Sequence, residues 1–186
     1  MTNHVHLLLT SASADGCARL MQRIAQLHTQ YVNRTYRRSG TLWEGRFRSC
    51  LVQSEEYLLA CYRYVESNAV RAGLCAHPRE FEWSSYRANA DGIADASLTP
   101  HEEYLRLGVT GKSRRRAYED LFRGDPRYWP TDEIRAATNG NFALGNESFK
   151  RKLAALLGRR VERGKAGRPV QREPETGQMS LLASPA

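Results

Sequence analysis

The 186-residue sequence has no apolar run near the roughly 20 residues that a membrane-spanning helix needs. It does not open on a basic segment followed by a long apolar stretch and a cleavage site. A membrane protein is therefore not expected, and a cytosolic one is. Cysteine is scarce: Cys17, Cys50, Cys61 and Cys75 form no C-x-x-C pair and no regular framework. That pattern excludes a disulfide scaffold and a zinc knuckle, and predicts reduced, partly buried thiols. There is no internal repeat, and no RNP-type aromatic motif of the kind that reads RNA on a sheet. Lysine is rare, with only Lys112, Lys150, Lys152 and Lys165 among 28 basic residues.

Acidic residues are also in short supply, 20 against 28 basic, so the formal charge is +8. Nucleic acid is the default partner for such a surface. The excess is gathered in two blocks. Seven arginines and one acid, Glu44, lie between Arg19 and Arg48; nine basic residues and one acid, Glu162, lie between Lys150 and Arg172. Either block can neutralise phosphates, because the planar guanidinium meets two phosphate oxygens at once and displaces counterions. Either can also be a solvated helix face.

Residues 4 to 9 (His-Val-His-Leu-Leu-Leu) read as a buried strand carrying two histidines. From Cys17 to Val32 apolar residues recur every three or four positions, which predicts an amphipathic helix over about 16 to 36, with Asp15 placed to cap it. Basic and apolar residues alternate from Arg46 before Leu51 and Val52, and predict a second strand. Ser54 is placed to cap a helix whose first turn holds Glu55 and Glu56 and which ends near Asn68. Residues 78 to 86 are turn-like, with three aromatics expected to cover the core, and 87 to 100 read as a loop or linker. Helical pieces follow at 100–107, 114–122, 131–138 and 147–157; the last two flank a tight turn, an order that fits a small DNA-binding appendage. The Gly/Pro/Arg-rich end is expected to be disordered.

His4 and His6 are two apart, so on a strand both imidazoles project from one side, about 6 to 7 Å apart at Cα, and can grip one divalent ion. His-hydrophobic-His is short and common by chance, and needs a partner. Tyr57, Cys61, Tyr64 and Asn68 lie at i, i+4, i+7 and i+11 and form one helical stripe. A tyrosine hydroxyl can attack a phosphodiester when a metal polarises the phosphate, and Asn68 with two imidazoles makes an incomplete shell suited to Mg²⁺ or Mn²⁺. On spacing alone the simpler reading is half-buried aromatics on a core helix, with Asn68 as its C-cap.

Four ordered segments carry a resemblance. Met1-Thr-Asn-His-Val-His-Leu-Leu-Leu9, Gly40-Thr-Leu-Trp-Glu-Gly-Arg-Phe-Arg-Ser49, the run from Tyr57 to Gly73 containing Asn-Ala-Val-Arg-Ala-Gly, and Trp83-Ser-Ser-Tyr86 resemble the REP-associated tyrosine transposases. These belong to the Y1 HUH superfamily with the IS200/IS605-type transposases. The resemblance implies an α+β fold: a ferredoxin-like antiparallel sheet with helices on one face, N-terminally incomplete here, plus an α-helical C-terminal extension. It divides the chain into a partial catalytic domain over 1–90, a linker over 91–100, a helical basic extension over 101–163 and a disordered tail over 164–186. It makes His4, His6 and Asn68 the metal ligands and Tyr64 the nucleophile. The implied activity is that of a bacterial, cytoplasmic, site-specific endonuclease and strand transferase acting on hairpin-bearing single-stranded DNA. It works through a 5′-phosphotyrosine, with Mg²⁺ or Mn²⁺ and no nucleotide cofactor, as a monomer or homodimer. Arg19, Arg23, Arg46 and Arg48 are the expected DNA-backbone contacts, with Trp43 or Phe47 stacking a base.

Thr2 stands where the family usually has Pro, and Ala69 where Asn-Pro-Val is usual. A strand, a helix and another strand precede the histidine strand in the family, whereas here the methionine of that motif is residue 1. The expectation is a truncated or mis-started transposase. The alternative is a catalytically impaired remnant that binds nucleic acid without cutting it; RNA binding on a ferredoxin-like sheet is a third reading.

Overall fold

A computed structural model describes residues 1, 3–124 and 129–164. In chain order these contain α1 (Gly16–Thr35), β1 (Leu51–Val52), α2 (Ser54–Glu66), α3 (Asn68–Arg71), a 3-10 turn (Pro78–Glu80), a π-helical turn (Arg87–Asp91), α4 (Glu102–Leu105), α5 (Gly111–Asp120), α6 (Thr131–Gly140), β2 (Ala143–Leu144) and α7 (Glu147–Leu157). The architecture is α+β and mostly helical. None of the described helices is long and apolar enough to cross a membrane. The tail expected over 164–186 lies, from residue 165 on, outside the described residues.

The expected ferredoxin-like antiparallel sheet is not what the described residues form. Their sheet has two strands, β1 and β2, which are parallel, with Leu51 opposite Ala143 and Val52 opposite Leu144. The second strand expected from Arg46 shrinks to two residues, and the histidine run forms no strand. A strand needs a neighbour to take up its backbone N–H and C=O groups. Residues 4–9 have none among the described residues. Their alternation survives nonetheless. Val5, Leu7 and Leu9 are 47%, 44% and 43% exposed, whereas Leu8 packs on the core and His6, with the more exposed His4, lines a cavity, so these three even-numbered side chains share one side.

Helix α2 lies between two clusters. Cys61 joins Ile134, Ala137 and Leu144, with Leu8, Cys50, Val52, Tyr57, Ala60 and Tyr64 around them. The other cluster gathers Tyr86, Ala90, Tyr104 and Tyr118, flanked by Leu59, Tyr62, Leu107, Leu121 and Phe122. Burial holds the Cys61 thiol up at about 12, as a hydrophobe rather than a reactive group. Of the three aromatics expected to cover the core, Tyr86 is 2% exposed and does so, but Trp83 is 82% exposed and does not. Part of the 87–100 segment is also more ordered than its small, polar composition predicted. It begins with the π-helical turn, where Ala90 is buried and the Asn89 carbonyl accepts from the Tyr104 hydroxyl at 2.7 Å.

The long-range pairing of β1 with β2 is fixed by side chains as well as by backbone. Gln53 N–H donates to Leu144 O (2.8 Å), while Asn146 N–H donates to Gln53 Oε1 (2.9 Å). Asn146 Nδ2 also donates to Glu56 Oε1 at 2.6 Å, and its Oδ1 caps α7 by accepting from Phe149 N–H at 2.9 Å. One residue thus caps a helix and ties it to the first turn of α2. Asn146→Ala is expected to lower stability by about 1 to 2 kcal/mol, the cost of a lost cap plus a charged hydrogen bond. Urea unfolding of the two proteins checks this; an unchanged midpoint would contradict it.

Candidate active site

Residues from three parts of the chain meet in one cavity of about 310 Å³. His4 and His6 come from the N-terminal run, Tyr64 and Asn68 from α2 and α3, and Arg135, Thr138 and Asn139 from α6. Tyr64 is brought there by helical periodicity: it shares the face of Tyr57, Ala60 and Cys61 that packs on the core. The chain remains helical past Ser67, whose N–H donates to Arg63 O at 2.9 Å, so Asn68 stays one turn beyond Tyr64. The ring centroids of His4 and His6 are 4.9 Å apart, those of His6 and Tyr64 5.6 Å, and both pairs meet edge to face. Asn3 Oδ1 lies 2.7 Å from His4 Nδ1, where it can fix that ring's orientation.

Burial pushes the His6 imidazole down to about 4, and the nearby positive charges of His4, Arg71 and the N-terminus push the same way. His6 is therefore neutral throughout the neutral range, with a lone pair free. Arg71, three residues after Asn68, is wrapped around the site: its Nη2 donates to Asn68 Oδ1 (2.8 Å) and to the Tyr64 carbonyl (3.1 Å), and its guanidinium carbon sits 4.3 Å from the Tyr64 ring centroid. Burial lowers the Arg71 pKa, Tyr64 opposes that shift, and Arg135 adds to it. Tyr57 and Tyr62, the neighbouring phenols on α2, are both raised, mainly by burial and then by Glu133 and Glu66 respectively.

Among the described residues no three His, Cys, Asp or Glu side chains form a metal-binding group. The donor set that does converge is two imidazoles and an amide oxygen, with no carboxylate among them. It fits a divalent cation that keeps open positions, since phosphate oxygens rather than carboxylates must then balance the charge. The amide oxygen of Asn68 has a second lone pair beyond the one that Arg71 occupies.

The expected DNA contacts are more scattered. Arg19 is held by Asp15 at 3.7 Å and Arg23 faces Gln26 at 3.5 Å, both on the exposed side of α1. Arg46 is exposed, as is Phe47 at 43%. Trp43 instead docks its own loop on α1: its indole N–H donates to Ala25 O at 3.2 Å and its ring meets His28 at 5.9 Å. Arg48 donates to Asn139 Oδ1 at 2.7 Å, which joins the first arginine block to the cavity wall. Four site residues were missed in the sequence. Arg71 was readable, being three residues after Asn68 and so on the same helical face. Arg135, Thr138 and Asn139 were not, because no local pattern says that α6 returns to α2.

Residues 1–68 match the model of a family described as Transposase IS200 like. The matched part holds His4, His6, Tyr64 and Asn68, and leaves out α3 beyond Asn68 and every element after it. No curated protein and no solved structure matches the chain. The match covers the first 68 of the chain's 186 residues, and over that stretch the chain is similar to this family.

Proposed function

We propose that the protein is a metal-dependent tyrosine nuclease and strand transferase for single-stranded, hairpin-bearing DNA. The convergence of His4, His6, Tyr64 and Asn68 on one cavity carries this reading. In the proposed reaction the Tyr64 phenol oxygen attacks a phosphodiester phosphorus. The P–O bond to the 3′ oxygen breaks, the phenol proton passes to solvent, and the released 3′ oxygen takes up a proton. The products are a 5′-phosphotyrosine and a free 3′-OH. That hydroxyl, or one on another strand, can reverse the step without a nucleotide cofactor, because the phosphotyrosine conserves the bond energy.

His4, His6 and Asn68 are the residues that would hold Mg²⁺ or Mn²⁺. When bound, the ion polarises the phosphate. Neutral His6 is ready to bind without first losing a proton. The His6 ring against the Tyr64 ring restricts the phenol, and the raised Tyr57 and Tyr62 are poorer nucleophiles at neutral pH.

Incubating the protein with hairpin-bearing single-stranded DNA and Mn²⁺ is expected to give a denaturant-resistant adduct, with none from Tyr64→Phe. Undiminished adduct from Tyr64→Phe would overturn the assignment. A second reading, DNA binding without chemistry, is favoured by one observation: no strand ladder fixes the histidine run among the described residues. It predicts salt-sensitive DNA binding that survives His4→Ala and His6→Ala, with no cleavage at any metal concentration.

A further inference from the structure

Among the described residues no carboxylate lines the cavity, and two guanidinium groups reach it from different elements. Arg135 lines it from α6. Arg71 overlies Tyr64 from α3 and extends Nη1 to within 3.4 Å of Thr131 Oγ1. Thr131 and Arg135 are four apart on α6, hence neighbours on one helical face, so Arg71 and Arg135 flank the same space. Arg135 contacts Asp132 at 3.5 Å, but that carboxylate is 97% exposed, and such a pair is weak and readily exchanged. Two like charges beside each other and next to a phenol are disfavoured until an anion comes between them. Arg48, tied to Asn139, adds a third guanidinium on the same side.

We infer that Arg71 and Arg135 form a two-armed clamp for a phosphodiester of single-stranded nucleic acid, so that α6 completes the site formed by the first 68 residues. Arg71 is fastened by Asn68 and the Tyr64 carbonyl and is the fixed arm. Arg135, half exposed, is the arm that swings from Asp132 to the phosphate. The clamp rests on the tyrosine-nuclease reading only in naming the bound phosphate as the reacting one.

The test uses the full chain carrying Tyr64→Phe, so that no cleavage intervenes, and a fluorescent single-stranded oligothymidylate whose binding is followed by anisotropy across a salt series. Arg135→Gln and Arg71→Gln are each expected to weaken binding about fivefold and to reduce the log–log salt slope by about 0.7, the value for one phosphate contact on a single strand. Arg135→Lys is expected to keep the slope, because it keeps the charge, while losing part of the affinity with the planar fork. Arg106→Gln, on a side chain held by Glu102 and Glu103 outside the cavity, serves as the charge control. If Arg71→Gln fails to fold, Arg135→Gln carries the test alone, since its side chain is half exposed. Arg135→Gln binding with wild-type affinity and slope, or no more weakly than Arg106→Gln, would overturn the clamp. Absence of an adduct from the parent protein would overturn the nuclease reading and leave the clamp standing.

Discussion

Glu66→Ala is expected to lower stability by about 4 kcal/mol. Glu66 is 1% exposed at the end of α2, and its carboxylate accepts three hydrogen bonds: from Ser85 Oγ (2.6 Å), Asn89 Nδ2 (2.9 Å) and Tyr118 OH (2.7 Å). These donors belong to the Trp83–Tyr86 segment, the π-helical turn and α5, so one side chain joins three elements to the tyrosine helix. Truncation leaves three donors without their acceptor, Tyr118 fully buried and Ser85 and Asn89 partly so, at about 1 to 3 kcal/mol each, partly relieved by water and relaxation. Glu66→Gln keeps the size and an acceptor oxygen, and is expected to cost about 1 kcal/mol. Urea unfolding of the three proteins checks this; a Glu66→Ala midpoint equal to that of Glu66→Gln would contradict it.

The same carboxyl sets a pH dependence. Burial raises its pKa, and the hydrogen bonds from Ser85, Tyr118 and Asn89 only partly oppose that shift. A carboxyl raised on folding favours the folded state while protonated. Its contribution is full below the ordinary carboxylate range and is lost as pH rises through the raised folded value. Wild-type stability is therefore expected to fall with rising pH relative to Glu66→Gln. The two proteins would keep a constant difference if the carboxyl were not raised.

The second large effect is on chemistry. His6→Ala is expected to reduce adduct formation about 10³-fold at the Mn²⁺ concentration that saturates the parent protein, equivalent to about 4 kcal/mol in the barrier, with DNA binding nearly unchanged. It removes both an imidazole donor and the ring that meets Tyr64 at 5.6 Å. On the proposed reading His4 and Asn68 would be the ligands left, too few to hold the ion. Binding of Mn²⁺ alone, followed by calorimetry, is expected to be lost in the same variant, which separates a ligand from a merely supporting ring. Equal adduct yields from His6→Ala and the parent protein would remove His6 from the site.

How far the sequence disclosed this arrangement depends on the range of the interaction. Helix α1 was expected over 16–36 and spans Gly16–Thr35, because its 3.6-residue apolar repeat is local. The stripe from Tyr57 to Asn68 was readable for the same reason, and it carries half of the proposed site. The inward alternation of His4, His6 and Leu8 was also legible, but the sheet was not. Pairing depends on which segments meet, and Ala143–Leu144, two residues inside a presumed turn, gave no periodic signal. Arg135, Thr138 and Asn139 entered the cavity through tertiary packing of α6 for the same reason. Trp43, an aromatic among arginines expected to offer a stacking face, also has a local role that the sequence did not disclose: its N–H donates to the Ala25 carbonyl and its ring meets an adjacent helix.

Helix α6 changes the division of labour along the chain. The Y1 match ends at residue 68, but the cavity wall continues through Arg135 to Asn139, and β2 pairs with β1 directly before the tyrosine helix. The later helices are thus built into the site, and a chain cut after the matched segment would lack one wall of it.

Locating the covalent bond distinguishes Tyr64 from the other tyrosines of α2. Trypsin cutting after Arg63 and Arg71 releases Tyr64-Val-Glu-Ser-Asn-Ala-Val-Arg71, which holds a single tyrosine, whereas Tyr57 and Tyr62 fall together in the peptide from Ser49 to Arg63. After reaction with hairpin-bearing single-stranded DNA and Mn²⁺, then nuclease and trypsin digestion, mass spectrometry is expected to find the 5′-nucleotide on the Tyr64–Arg71 peptide. A nucleotide on the Ser49–Arg63 peptide, or no nucleotide–peptide adduct at all, would contradict the account.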